Sequence, residues 1–438
     1  MMGHPTTSYF TSVRAHSRNS SVAPKIPPSI TSLVKLPCFS AGFPPLRTFK
    51  VKAVRKEEGE RWFPPQNQDT QPGKEYLMNP LPQFANDHCK PSGRLQGKVA
   101  LVTGGDSDAA ETLKIIKDAK VSDASDPIAI STDLKYYKNC EKFKAMQSEE
   151  AERRFPPQDQ DTQPGKEYLM NPLPQFSNDS YKPSGRLQGK VALVTGGDSG
   201  IGRAICCHFA KEGATIAFTY VKGIEDIDAM DTLRIINKAK LSDYGDPTAI
   251  YTDLKYYKNC KKVVDEVIAK YGFIDILVNN PGIVYDSSLE EITEESLEKV
   301  FRTNILSYFF MSKLAVKHMK NGSSIINTAS VGAYTGIPDT LDYASTKGAV
   351  VSFTRSLALN LIDKGIRVNG VAPGPVWTPL IAATNTDEQI AKFGSQVPMD
   401  RAAQPSEIAP SYVFLASEDS SYYTGQVLHP NGGLIING

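Results

Sequence analysis

Four side chains in the C-terminal half have types and spacing that could move a proton. Tyr343 and Lys347 stand four residues apart in DYASTKGAVVSFTRSLALNLI, a stretch patterned as a helix, so both share one face. A free phenol titrates near ~10, too high for efficient proton exchange at neutral pH. An ammonium beside it favours the phenolate and lowers that value. Ser330 lies thirteen residues before Tyr343, just after a predicted strand. Its hydroxyl can hydrogen-bond a substrate oxygen and stabilise charge developing there. Asn304 falls inside a second long predicted helix, where asparagine is an unusual choice. Each residue alone has a plain structural reading: a solvated tyrosine and lysine, a strand-end serine, a polar helix residue. Together they suit proton transfer to an oxygen.

The elements that must position them alternate in a regular way. Strands are predicted at KVALVT (190–195), TIAFTY (215–220), TAIYTD (248–253), DILVNN (275–280), SSIINT (323–328), IRVNGV (366–371) and QVLHP (426–430), with helices between. This alternation predicts an α/β fold: a single doubly wound parallel sheet of Rossmann type, about seven strands. The turn TGGDSGIG follows the first strand and opens a helix. There Gly196 permits the tight turn, Gly200 lets backbone approach a pyrophosphate, and Gly202 lets the helix pack on the sheet. The helix N-terminus then offers N–H groups and partial positive charge to phosphates.

From residue 187 to 438 the chain resembles the short-chain dehydrogenase/reductases. The glycine turn has their TGxxxGxG spacing, with Thr195, Ser199 and Ile201 completing it. Asp253 and Leu254 match the family's adenine contact. NNPG (279–282), which includes Asn280, matches NNAG with Pro281 in place of alanine. Asn304, Ser330, Tyr343 and Lys347 match the catalytic tetrad. PGPVWT, with Pro373, Gly374 and Thr378, matches the nicotinamide-side loop. The resemblance implies that a bound nicotinamide nucleotide supplies hydride, that Tyr343 gives the proton in carbonyl reduction, and that Tyr343 and Lys347 also touch the nucleotide. It implies that Asn304 holds a water in a relay to Lys347. It also implies pairing of the Asn304 and Tyr343 helices between subunits of a homodimer or homotetramer. The second strand ends at Tyr220 without the acid that usually binds a ribose 2′-OH. With Arg203 and Lys222 nearby, the expected cofactor is NADPH, with NADH possible. Pro281 fixes φ and lacks an N–H; it is either harmless in an extended loop or weakens nucleotide binding.

The arm QPGKEYLMNPLPQF, the segment RLQGKVALVTGGDSGIGRA and the late HPNGG narrow the resemblance. They look like the plant glucose and ribitol dehydrogenase homologues, a group that includes a chloroplast NADPH-dependent aldehyde reductase. Small aldehydes are the implied substrates, sugars or polyols the alternative, with the loop Thr378–Phe393 deciding. A 3-ketoacyl carrier-protein reductase would want a basic patch, and none is evident near the motifs. A cofactor-binding interaction protein is opposed by the intact tetrad.

The chain has 438 residues and a formal net charge of +1, which gives no argument for nucleic acid or an anionic membrane. No apolar run approaches the ~20 residues of a membrane span. Six cysteines show no CxxC spacing and His208, His318 and His429 show no ligand spacing, so no metal is expected. Residues 1–56 contain no Asp or Glu and are rich in Ser, Thr, Pro, Lys and Arg. That composition reads as an organelle transit peptide, in keeping with a chloroplast location; mitochondrion and cytoplasm are the alternatives. Residues 63–107 repeat 155–199 nearly verbatim at an offset of 92, and the match resumes from Thr112 at an offset of 120. The first copy therefore lacks 28 residues corresponding to Gly200–Ile227: the rest of the turn, a helix and a strand. A parallel unit needs its crossover helix, so residues 57–150 are expected to form no independent domain and to bind no nucleotide. Residues 151–186 read as an extended arm leading into the domain at 187–438.

Overall fold

The computed structural model describes residues 155–158, 160, 162–240 and 245–436. The expected transit segment and the incomplete repeat lie outside them. Seven parallel strands form one sheet in the order β3-β2-β1-β4-β5-β6-β7. They are β1 (Val191–Val194), β2 (Thr215–Tyr220), β3 (Thr248–Tyr251), β4 (Ile276–Asn279), β5 (Ser324–Thr328), β6 (Arg367–Val371) and β7 (Val427–Leu428). The order reverses between β1 and β4, and ligand clefts open at such a switch, beyond the carboxyl ends of the strands.

Both faces of the sheet are covered. The helices are α1 (Gly200–Lys211), α2 (Asp226–Ala239), α3 (Tyr257–Tyr271), α4 (Glu294–Phe301), α5 (Ser307–Ala315), α6 (Gly332–Thr335), α7 (Leu341–Leu361), α8 (Pro379–Ala382), α9 (Asp387–Ala391) and α10 (Pro405–Ala416). Ala192 and Val194 of β1 point to one side, against Ile205 and Phe209 of α1 and Tyr412 of α10. Leu193 between them points to the other, against Val263 of α3, Met311 of α5 and Leu361 of α7. This two-residue alternation between two buried faces is why the strands read as unbroken apolar runs. Among the described residues, no helix is long and apolar enough to cross a membrane.

Three elements differ from the sequence reading. The single helix expected over 296–319 is interrupted: α4 passes into a π-helical turn, Arg302–Leu306, before α5 begins. Side-chain hydroxyls tap the carbonyl ladder here, Thr303 Oγ1 donating to Lys299 O (2.9 Å) and Ser307 Oγ to Thr303 O (2.5 Å). β3 stops at Tyr251, because Asp253 turns the chain by accepting the Lys255 N–H on its carboxylate (3.1 Å). The last strand shrinks to Val427–Leu428 at the sheet edge.

The arm is more than a lead-in. Phe155 stacks on the buried Trp377, with ring centroids 3.8 Å apart. Met170 joins a cluster with Trp377, Ala382, Ile390, Phe393 and Ala402. The Trp377 indole donates to Pro172 O (2.8 Å) and Gln163 Nε2 to Thr384 Oγ1 (2.6 Å). Phe155, Gln163, Met170 and Pro172 of the arm thus hold the α8–α9 segment that follows PGPVWT.

Candidate functional site

One cleft of about 1150 Å³ opens at the carboxyl ends of the strands. It exceeds the ~1,000 Å³ reached by ordinary small-ligand sites, room for a dinucleotide and a small substrate together. Gly196, Ser199, Gly200, Ile201, Tyr220, Asp253, Leu254 and Asn280 line it, as do Ser330, Tyr343, Lys347, Pro373, Gly374 and Thr378. Three residues expected in the site lie behind its wall instead. Thr195 Oγ1 donates to Val278 O (2.9 Å) and accepts from Asn280 N (3.0 Å). Gly202 is packed so tightly that a Cβ would stand 1.8 Å from Gly196 O. Asn304 is fully buried, its amide oxygen accepting the Ile283 N–H and its amide nitrogen donating to Ile283 O, both at 2.9 Å.

The glycine turn is a cradle for phosphates. Gly196 and Gly200 take φ of +62° and +52°, which L side chains rarely adopt. Thr378 covers Gly200 closely, since a Cβ there would meet Thr378 Cγ2 at 3.2 Å. The loop expected beside nicotinamide therefore packs onto the loop expected beside phosphate, and these residues fit a dinucleotide.

The polar triad comes from two places, the loop after β5 and the helix α7. Ser330 follows β5 and accepts the Gly332 N–H (3.1 Å), which fixes its hydroxyl. Tyr343 and Lys347 lie on the first turns of α7, with Lys347 Nζ 5.5 Å from the Tyr343 ring centroid. Lys347 Nζ donates to Thr328 O (2.9 Å). Thr328 Oγ1 donates to Asn280 Oδ1 (3.2 Å), and Asn280 Nδ2 donates to Gly196 O (3.0 Å). A continuous polar chain thus runs from the lysine to the phosphate turn.

The electrostatics correct one expectation. Burial pushes the Lys347 ammonium down to about 7. Burial also raises the Tyr343 phenol above its ordinary value, with the Ser330 hydroxyl opposing the rise. The ammonium was expected to lower the phenol; desolvation, which disfavours the charged form of each, sets the direction at both groups instead. The arrangement holds a protonated phenol at neutral pH, suited to giving a proton to an oxygen beside Ser330.

Residues 196–435 match the family model described as enoyl-(acyl carrier protein) reductase, just over half of the chain. A glucose and ribitol dehydrogenase of Daucus carota is 64% identical over 286 residues, 65% of this chain and 98% of that protein. The chloroplastic NADPH-dependent aldehyde reductase 1 of Arabidopsis thaliana is 62% identical over 282 residues, 64% of this chain and 98% of that protein. A solved short-chain dehydrogenase/reductase from Serratia marcescens superposes with a TM-score of 0.53 at 33% identity, covering 57% of this chain and 98% of that one. The chain belongs to the short-chain dehydrogenase/reductase family. It is an NAD(P)-dependent oxidoreductase acting on CH–OH or carbonyl groups.

Within this short-chain dehydrogenase/reductase, the 2′-phosphate argument needs correction. Arg203 does not reach the cleft. It is buried and committed: Nε donates to Asp198 O (2.8 Å) and Thr232 Oγ1 (2.9 Å), Nη1 to Glu167 Oε1 (2.5 Å), and Nη2 to Asp228 O (2.9 Å). Nor is the region past Tyr220 free of acid. Glu225 lines the cleft, and its carboxylate accepts the Val221 N–H (2.6 Å). Of the two cations expected there, only Lys222 remains near the strand end, over the Tyr251 ring at 4.7 Å.

Sequence reasoning also missed the arm's share of the site. Gln163, Pro164 and Gly165 line the cleft, and a Cβ on Gly165 would stand 2.4 Å from Pro379 O. Glu167 is inserted beneath α1. The signal was present, because QPGKEYLMNPLPQF recurs unchanged in both copies, but nothing local says what it touches.

Proposed function

We propose that the chain reduces small aldehydes to alcohols with NADPH, with Asn304, Ser330, Tyr343 and Lys347 as its working set. The observation that carries this is the Ser330–Tyr343–Lys347 group, with Lys347 buried and all three lining one end of a cleft whose other end is the glycine turn. When bound, the nucleotide supplies hydride to the carbonyl carbon. The Ser330 hydroxyl orients the carbonyl oxygen, and the Tyr343 phenol donates its proton there. Lys347, anchored on Thr328 O, stabilises the phenolate that remains. Asn304 braces the Ile283 backbone opposite Lys347. The phosphate end would be held by backbone N–H groups of the turn, with Asp253 and Leu254 on the adenine side.

The preference for NADPH rests on Lys222 and on the named cofactor of the Arabidopsis relative. Equal catalytic efficiency with NADH would remove it. Sugar or polyol oxidation is the second reading, favoured by the name of the Daucus relative. A plastid location and a homodimer or homotetramer belong to the same proposal, the first from the leader composition and the Arabidopsis relative.

A panel of methylglyoxal-like aldehydes, sugars and 3-ketoacyl thioesters, assayed with both nucleotides, separates these readings. Tyr343→Phe is expected to lose about 10²- to 10⁴-fold in turnover, the usual worth of a positioned proton donor. Full turnover in that variant overturns the mechanism.

A further inference from the structure

Glu167 sits behind the cleft, in the middle of the arm, with almost no exposed surface. Its Oε2 accepts the Gly200 N–H (2.5 Å), the first N–H of the helix whose positive end faces the phosphates. Its Oε1 pairs with Arg203 Nη1 (2.5 Å). Its own N–H and that of Tyr168 donate to the Asp228 carboxylate at 2.8 and 3.1 Å. A helix start normally leaves its first N–H groups for a ligand or a cap. Here one of them is taken by a carboxylate from a segment 33 residues away.

We propose that Glu167 is a positioning residue for the dinucleotide: it fixes the phosphate turn through Gly200 and Arg203, and its charge sets how much of the positive end of α1 is left for the pyrophosphate. This rests on the dinucleotide reading above and deepens it. The residue does not line the cleft, so it acts through the turn.

The charged groups around Glu167 are unbalanced. Among the described residues Arg203 of α1 is the one buried cation in contact with Glu167, while the exposed Arg234 pairs with Asp231 at the rim. Arg203 faces Asp198 of the turn and Asp228 and Asp231 of α2, in addition to Glu167, and Glu225, just before α2, adds its carboxyl beside Asp198 and Asp228. Burial pushes the Glu167 carboxyl up to about 7; Arg203 and the Gly200 N–H oppose the rise, and Asp228 and Asp198 add to it. Burial likewise raises Asp198 to about 6 and Glu225 well above the carboxylate range. Below about pH 7 Glu167 is neutral and the Arg203 charge reaches the turn. Above it the carboxylate offsets that charge. Dinucleotide affinity therefore falls as pH rises through this value, and bound pyrophosphate in turn favours the protonated acid.

The test is equilibrium titration of the full chain with NADPH and with NADH by nucleotide fluorescence, from pH 6 to 8.5. The Kd for both is expected to rise roughly threefold to tenfold, the scale of a charge at a partly buried helix terminus. NADH lacks the 2′-phosphate, so its step cannot come from that group. Glu167→Gln keeps an acceptor for the Gly200 N–H and is expected to flatten the step, binding at pH 8.5 as tightly as the wild type at pH 6. Wild-type NADH binding at pH 7 is also expected to take up a fraction of a proton, read by calorimetry in two buffers of different ionisation enthalpy. A flat wild-type profile, no proton uptake, or an unchanged step in E167Q each overturns the proposal while leaving the dinucleotide reading intact. No binding of either nucleotide at any pH overturns both.

Discussion

At the scale of single residues, the decisive quantity is burial. Lys347 is an ordinary lysine by sequence, yet its ammonium is shifted to about 7 because water is excluded around it. Its charged form supports the phenolate, so that support is present below about pH 7 and lost above it. Turnover in the reductive direction at saturating nucleotide is therefore expected to fall as pH rises through about 7, approaching about tenfold per unit. Lys347→Arg keeps its charge to above ~12 but cannot reproduce the compact contact to Thr328 O. It should turn over more slowly and show no such limb in a pH–rate profile; a limb that stays in place belongs to another group. The pair itself was legible in the sequence, since a four-residue spacing on a helix is local information. Arg203 was not. Its partners Glu167 and Asp228 lie 36 and 25 residues away, so a residue that reads as a free cation beside the phosphates is in the structure an internal strut.

At the scale of elements, the strands and helices were legible because each buries a periodic apolar face. The breaks in that period were not. A π-helical turn differs from an α-helix by one residue in its hydrogen-bonded ring, a difference carried by packing rather than by residue type. That turn sets Asn304 against the loop after β4, where one amide satisfies both the N–H and the C=O of Ile283. Asn304→Ala leaves both backbone groups buried and unpaired. The expected cost is about 2 kcal/mol or more, seen as a melting temperature several degrees lower together with reduced turnover. A variant that melts with the wild type but has lost turnover would place the asparagine in proton transfer alone. The arm behaves similarly. Met170 lies within the α8–α9 cluster, and Met170→Ala should cost about 2–5 kcal/mol, with a raised KM for the aldehyde as the substrate-side loop loosens.

At the scale of the whole molecule, residues 155–436 carry both core faces of the sheet, the cleft and the arm that closes its back. The seven strands described and all four residues of the proposed working set come from this span. The incomplete repeat carries its own TGGDSD, but Asp108 stands where Gly200 stands in the complete turn. A carboxylate there would face the phosphates, and the residues matching α1 and β2, whose helix start cradles phosphate in the complete copy, are missing from its sequence. A chain beginning at Ala151 is therefore expected to keep the melting temperature, the turnover and the nucleotide affinity of the full chain. Both forms should bind one dinucleotide per chain in a calorimetric titration. A second site in the full chain, or a loss of stability on removing residues 1–150, would assign the repeat a role that its missing helix and strand argue against. The arm gives the physical boundary for this cut: Phe155 already stacks on Trp377, so a truncation that passes it should begin to unseat the α8–α9 segment.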